Sequence, residues 1–118
     1  MAEPTLAQIF GTGTQRLASG VTTPSAGLFI PDTALVSAGL ATPSSASAEG
    51  HLAAVVINAG TYLNQTNFDA NVDQSVLVAD GFDSITTRTG VTGNQRTSQK
   101  TITFYKADSS TGLDPDDY

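Results

Sequence analysis

Small side chains dominate this chain, because Thr, Ala, Ser and Gly together supply 54 of its 118 residues. Such residues carry little apolar surface, and the burial of apolar surface is the main term that stabilises a folded domain. Apolar residues make up 39% of the sequence and Trp is absent. A chain of this length is the size of one ordinary domain. The composition therefore favours thin, closely packed layers of backbone over a deep core.

The clearest predicted element is a helix from about Ala48 to Leu63. Ser47 can cap it, and Glu49 lies in the first turn, where a carboxylate is favourable. The residues at helical spacing are Leu52, Val55, Val56, Ala59 and Tyr62 or Leu63. The other side is also apolar or small, since it carries Ala53, Ala54 and Ile57. A helix of this kind is buried on more than one face, and one of those faces is predicted to meet another subunit.

Two shorter elements are predicted before that helix. Gly27–Ile30 has the pattern of a short strand that Pro31 closes, because proline cannot donate to a ladder. Asp32 is a plausible N-cap of a helix of one or two turns. Gly39 would end that helix.

Period-two patterning begins after Asn64. Residues 75–78 are strand-like, and Asp80–Gly81 is typical of a hairpin turn that leads into a partner strand, Phe82–Thr87. Gly90–Asn94 is predicted to be a loop. Thr101–Tyr105 alternates apolar and polar residues and predicts a further strand.

The predicted fold class is α+β, with one main helix packed on a small antiparallel β-sheet and extended N- and C-terminal arms. Residues 1–26 form the N-terminal arm, 27–106 the α+β core domain and 107–118 an acidic C-terminal arm. The acidic arm holds four carboxylates and almost no apolar side chains. Its ordering entropy has no local compensation, so the sequence predicts that another molecule orders it.

The net charge of the chain limits which partners it can bind. The net charge is −6, from five basic and eleven acidic residues, which disfavours nucleic acid and anionic membranes as partners. Four of the five cations lie in one late segment directly before the acidic arm: Arg88, Arg96, Lys100 and Lys106. They indicate either a solvated hairpin beside a solvated tail or head-to-tail pairing between subunits. The absence of Cys fits a protein made in a reducing cytosol.

No metal or cofactor site is predicted, and one set of residues is the calcium candidate. Asp69, Asn71, Asp73 and Asp80 follow the ligand spacing of an EF-hand loop. The sixth position is Gln74, where the loop needs glycine, and a predicted strand follows where the loop needs a helix. Asp and Asn also stabilise turns without any metal.

The sequence also predicts no enzyme. His51 is the only histidine. A catalytic histidine needs a nucleophile or an orienting carboxylate within reach, and Glu49 lies on a different helical face. We therefore expect a surface or interface histidine.

The chain resembles the virion structural proteins of tailed bacteriophages, in particular the small head-decoration or cement type. The likeness lies in the Ser/Thr/Gly/Ala-rich arm, the lack of Cys and Trp, the acidic balance and the segment Thr101–Lys106, which is similar to a strand of lambda-type decoration proteins. Those proteins have no helix that aligns with Ala48–Leu63, so no residue roles are carried over. The resemblance implies a capsid cement protein that clamps neighbouring capsid subunits at the virion surface after synthesis in the host cytoplasm. Its partners would be the major capsid protein and copies of itself, with no nucleic acid and no membrane.

The predicted interface residues come from both arms and from the main helix. They are Ile9 and Phe10, Leu113 and Tyr118, and the helix face around Leu52, Val56 and Tyr62. Three other interpretations stay open: a phage tail or neck subunit (tube, terminator or baseplate), a calcium-dependent adhesion or binding module that uses the Asp69–Asp80 loop, and a small acid–base enzyme centred on His51.

Overall fold

The computed structural model of the chain describes residues 4–10, 12, 14–22, 25–108 and 112–118. Its helices are α1 (Leu6–Phe10), α2 (Asp32–Ser37), α3 (Ala48–Tyr62) and α4 (Gln65–Ala70), with 3-10 turns at Pro43–Ser45 and Pro115–Asp117. Its strands are β1 (Val76–Asp80), β2 (Ser84–Thr86), β3 (Gln95–Thr97) and β4 (Lys100–Phe104). The predicted α+β class, with one main helix and a small antiparallel sheet, is confirmed.

The chain divides into an N-terminal unit, Met1–Asn58, and a C-terminal unit, Ala59–Tyr118. The boundary falls inside α3. This division differs from the arm, core and arm boundaries that the sequence predicts.

In the N-terminal unit, α2 ends as predicted at Gly39. This glycine has a φ of +106°. Its N–H donates to the Val36 carbonyl, and the Leu40 N–H donates to the Leu35 carbonyl, both at 3.0 Å. The left-handed residue that follows the helix is the common glycine-terminated ending. The predicted N-cap is wrong, because Pro31 is the N-cap and Asp32 is the first helical residue.

The predicted strand at Gly27–Ile30 is also wrong. These residues have no strand conformation, and Leu28 is 91% exposed. A strand needs a partner for its backbone N–H and C=O groups, and none of the described strands pairs with this segment.

Helix α3 begins as predicted, since the Ser47 hydroxyl oxygen accepts a hydrogen bond from the Gly50 N–H at 3.0 Å. The buried residues are Ala48, His51 and Ala54, whereas Leu52 is exposed. Ala48, His51 and Ala54 lie at i, i+3 and i+6, so they share one face of the helix.

The predicted hairpin at Asp80–Gly81 is wrong. Strand β1 pairs antiparallel with β4, so that Val76 lies opposite Phe104 and Asp80 opposite Lys100. The segment after Gly81 instead supplies β2, which pairs with β3. The two two-stranded sheets are therefore nested along the chain, with β2 and β3 inserted between β1 and β4. An ion pair between Lys100 and Asp80 joins the ends of β1 and β4.

The predicted loop at Gly90–Asn94 is confirmed, because it lies between β2 and β3. Gly90 and Gly93 have φ values of +84° and +86°. Only glycine adopts this region without strain, which explains both glycines.

Helical residues contact both faces of the β1–β4 sheet. On one face, the rings of Phe68 in α4 and Tyr105 are 4.8 Å apart, and Leu77 is buried. On the other, Val78 is buried beside Gly60, where a Cβ would lie 3.2 Å from its Cγ1 atom. The core is nevertheless thin, because no large side chain among the described residues falls below 2% exposure.

Replacing Gly60 with valine tests the contact with Val78. The added side chain would crowd Val78 Cγ1, so we expect the C-terminal unit to lose about 1–2 kcal/mol of unfolding free energy. Chemical denaturation of the full chain measures this loss. Ala53→Val, at an exposed position of the same helix, controls for the cost of a β-branched residue. If the double variant Gly60→Val with Val78→Ala loses less unfolding free energy than the sum of the two single losses, the contact is confirmed. Purely additive losses would contradict it.

Candidate assembly surface

His51 is buried in the single chain, without a partner molecule. It is 8% exposed. Its Nδ1 atom lies 2.8 Å from the Ser47 carbonyl oxygen, and its Nε2 atom contacts the Arg16 guanidinium. A guanidinium can only donate hydrogen bonds, so Nε2 accepts and Nδ1 carries the proton. The predicted surface or interface role is therefore wrong for this residue.

Arg16 links this histidine to α2. Its Nη1 atom lies 2.7 Å from Asp32 Oδ1. The hydroxyl of Ser47 is already engaged as the helix cap. The network thus connects the segment around Arg16, helix α2 and the start of α3 by hydrogen bonds and one ion pair. It presents no activated nucleophile.

Replacing Arg16 with methionine tests this structural role. The substitution leaves the buried Nε2 atom of His51 without a donor, which costs about 1–3 kcal/mol. We expect faster amide hydrogen exchange in residues 14–22 and in the first turns of α3. Arg96→Met, at an exposed position of β3, should leave these rates unchanged. Unchanged exchange in Arg16→Met would contradict the role.

Three of the four calcium-candidate residues, Asp69, Asn71 and Asp80, use their side-chain oxygens in other contacts. The Gln65 side-chain amide donates to Asp69 Oδ1 at 2.8 Å, and Asn71 Oδ1 accepts from the Asp73 N–H at 3.0 Å. Asp80 pairs with Lys100. The described part of the chain contains no group of three or more Asp, Glu, His or Cys side chains that could hold a metal ion. These oxygens stabilise a helix, a turn and a strand register.

The described end of the acidic arm contacts its own unit. We call residues 112–118 the tail. Lys106 Nζ lies 2.9 Å from Asp117 Oδ2 and donates to the Gly112 carbonyl at 2.8 Å. The rings of Phe104 and Tyr118 meet edge-on with centroids 5.4 Å apart. The inference that the arm has nothing local to pack against is therefore wrong, because the end of β4 and Lys106 supply its partners.

A short turn brings Asp117 and Tyr118 to these partners. Asp114 Oδ1 accepts a hydrogen bond from the Asp116 N–H at 3.0 Å, and the 3-10 turn Pro115–Asp117 follows. The Asp-Pro pair carries the signal for this turn, since Asp caps it and Pro presets its first φ. The alternation of Thr101–Tyr105 gives no indication that Phe104 receives the tail.

The contacts of the tail are individually weak. A partly exposed ion pair contributes about 0–1 kcal/mol, and an edge-on aromatic pair about 0.5–1.5 kcal/mol. Ordering one residue costs about 1–2 kcal/mol in backbone entropy. The tail therefore opens at a low free-energy cost compared with the sheet beneath it.

The register of β1 and β4 determines which backbone groups face outward. Tyr105 N–H donates to the Ser75 carbonyl, and Gly81 N–H to the Gln99 carbonyl, both at 2.8 Å. In an antiparallel ladder the intervening residues turn their N–H and C=O groups away from the partner strand. On β4 the outward-facing residues are Lys100, Ile102 and Phe104.

The two outer edges of this sheet differ. On the β1 side, Val78 N–H donates to the Leu63 carbonyl at 2.8 Å, and the Gln74 side-chain amide donates to the Val76 carbonyl at 3.0 Å. On the β4 side, the sheet has no third strand within the residues that the structure describes. The β4 edge is thus a free template for an additional strand.

Large apolar side chains are exposed in both units. Of the predicted interface residues, Phe10, Leu52, Tyr62, Leu113 and Tyr118 are exposed, and Ile9 and Val56 are half-buried. Tyr118 covers Phe104 of its own chain. Sequence reasoning missed Leu28 and Phe82, which are 91% and 85% exposed, as well as Phe29 and Ile85. The apolar run after Gly27 was the available signal for Leu28 and Phe29.

No helix in the described part of the chain is long and apolar enough to cross a membrane. No protein-family model, no curated protein and no solved structure matches the chain.

Proposed function

We propose that this chain is a non-enzymatic structural protein of a tailed-bacteriophage virion, a cement protein that stabilises the head by clamping neighbouring capsid subunits. The observation that carries the proposal is the exposure of large apolar side chains in both units, together with the lack of a fully buried large residue in the described part of the chain. Such a surface is costly in water and favours burial against other molecules. Its phage context rests on the resemblance at Thr101–Lys106, a segment that contains most of β4.

The clamp works by adding partner backbone to the β4 edge and by burying apolar residues at several shallow contacts. An extended segment of the major capsid protein, or of a sister copy, completes the ladder at Lys100, Ile102 and Phe104. Leu28 and Phe82 each add apolar burial, worth about 1.5–3 kcal/mol when complete. Contacts that are weak singly become strong together once one of them holds the subunit in place.

The acidic balance suits a protein displayed in many copies. A net charge of −6 per chain gives a decorated shell a strongly negative outer surface. Like-charged particles repel each other and stay dispersed.

The location of the protein in particles tests the proposal. Virions are purified by density gradient from the source that carries this gene, and an antibody raised against the full chain is used for blotting and immunogold microscopy. We expect the chain to copurify with particles and gold to label the heads. Label restricted to tails or necks would replace cement by the tail or neck alternative, since a tail ring is cyclic and cement follows icosahedral local axes. Absence from the particles would overturn the proposal.

A double substitution at exposed residues tests the apolar contacts. Phe82→Ser with Ile85→Ser removes side chains that the unit itself does not bury. We expect the unfolding midpoint to stay unchanged and binding to undecorated heads to weaken at least about tenfold, because a tenfold change needs only about 1.4 kcal/mol of lost burial. Asp83→Ser with Thr87→Ser, at exposed positions that flank the same strand, is the matched control. Wild-type binding by the Ser variant would contradict the role of these residues.

A further inference from the structure

The tail occupies a groove that its own chain provides. The groove is the surface at Phe104 and Lys106 that the tail contacts. With the tail in place, an open cavity of about 620 Å³ remains there, lined by residues that include Ile102, Phe104, Lys106, Leu113 and Tyr118. The polar contacts are complementary, since the partners of the Lys106 ammonium include the Asp117 carboxylate and the Gly112 carbonyl oxygen. The contacts of the tail therefore indicate which peptide fits the groove: an acidic peptide that carries an aromatic ring.

The fit between groove and tail involves no residue that must come from the same chain. A tail from a second copy carries the same Gly112 carbonyl, Asp117 carboxylate and Tyr118 ring. Exchange of an identical segment conserves these contacts, which is why such swaps are a low-cost route to assembly. The Lys106 side chain is only 19% exposed under its own tail, so an unoccupied groove exposes a cation and an aromatic ring together.

The peptide between groove and tail sets the reach of an exchange. Residues 107–111 connect Lys106 to Gly112, and an extended peptide of that length spans about 20 Å. A neighbouring groove within that distance competes with the chain's own groove on nearly equal terms. For a short linker the effective concentration of the attached tail is in the millimolar range. Copies held side by side on a shell reach similar local concentrations.

We propose that the tail is an exchangeable clamp: in the assembled state, residues 112–118 of one copy occupy the Phe104–Lys106 groove of the adjacent copy. This inference deepens the proposed cement function and rests on it for the crowding that favours exchange. The partner is a second copy of this chain, recognised by its Lys106 ammonium and Phe104 ring. In the free chain the tail closes its own groove and protects it from other partners.

Charge reversal distinguishes exchange from self-closure. Lys106→Glu alone and Asp117→Lys alone each place like charges in the groove, so both tails are displaced. When the two variants are mixed, opposite charges meet only if each copy places its tail in the groove of the other variant. Both grooves of such an exchanged pair then hold one positive and one negative side chain. Native mass spectrometry and light scattering of the 1:1 mixture should show a heterodimer at least about tenfold tighter than either variant or the wild type alone. The double variant with both reversals restores the pair within one chain and should remain monomeric at the same concentration.

Zero-length carbodiimide cross-linking tests the wild-type chain. Lys106 and Asp117 are in direct contact, so the reagent can join them. In an equal mixture of ¹⁴N- and ¹⁵N-labelled protein, exchange yields cross-linked peptide pairs that contain both isotopes. We expect the share of these pairs to rise as the protein concentration is raised from about 10 µM to about 1 mM, where contact between copies begins to compete with contact within one chain. Same-isotope pairs alone at every concentration, together with a mixture of charge variants that stays monomeric, would overturn the exchange.

The two proposals fail separately. Virion heads that contain the chain, combined with cross-links only within single copies, would leave the cement function standing and remove the exchange. Mixed-isotope pairs from a chain that no particle contains would do the reverse.

Discussion

Replacing Gln74 with glutamate is expected to cost the C-terminal unit about 3–4 kcal/mol of unfolding free energy, the largest effect of any conservative change considered. Gln74 is 8% exposed. Its side-chain amide nitrogen donates to the Val76 carbonyl at 3.0 Å and to the Asn64 carbonyl at 3.5 Å. A carboxylate there would direct its negative charge at two carbonyl oxygens in a site that excludes water. Gln74 Oε1 has no hydrogen-bond partner among the described residues, so the site also offers the carboxylate no donor.

Native-state hydrogen exchange at the β1 and β4 amides measures the loss in the full chain. Gln15→Glu, at an exposed position, adds the same charge and should change stability by less than about 0.5 kcal/mol. Gln74→Met keeps the shape and removes the unpartnered oxygen, so it should cost less than the glutamate. A Gln74→Glu chain as stable as the Gln15→Glu chain would show that the amide does not hold the β1 edge.

Replacing Gly81 with alanine is expected to cost about 2–3 kcal/mol, because the substitution overpacks the end of the β1–β4 sheet. An alanine Cβ would lie 2.7 Å from Gln99 Cβ, closer than real carbon atoms approach. Gly81 also donates its N–H to the Gln99 carbonyl, so the two backbones cannot separate without losing that bond. Gly81 has no positive φ and is therefore required for space and not for backbone conformation.

Chemical denaturation of a double-substitution cycle measures this contact. Gly81→Ala combined with Gln99→Gly removes the opposing Cβ, so the two losses should be less than additive by about 1 kcal/mol or more. Gly27→Ala, which would meet nothing within 4 Å, controls for the general effect of adding a methyl group. Equal losses at Gly27 and Gly81 would show that the close approach does not exist in solution.

Gly81 also shows why strand pairing could not be read from the sequence. The Asp80–Gly81 dipeptide is a strong local hairpin signal. The structure uses the glycine for close approach to a strand that follows about twenty residues later, and β1 pairs with β4. Pairing of β1 with β4 buries Leu77 and Val78 on the two faces, a gain that depends on distant residues.

The partners of His51 and of the acidic arm also could not be predicted from the local sequence. Local reasoning gives a histidine near the start of α3 no partner, because Arg16 is far away in sequence. It likewise gives the acidic arm no partner, because the ring of Phe104 becomes available only after β4 has formed. Both partners are ordinary ones, and only the fold brings them within reach.

The amino-acid sequence by itself determines the α+β class, the Ser47-capped helix, the Gly39 helix ending and the loop between β2 and β3, because each follows from propensities or backbone preferences within a few residues. Only the tertiary structure decides the strand partners, the buried face of α3, the role of His51 and the location of the tail. These depend on contacts between residues far apart in sequence, whose free energy no local pattern contains.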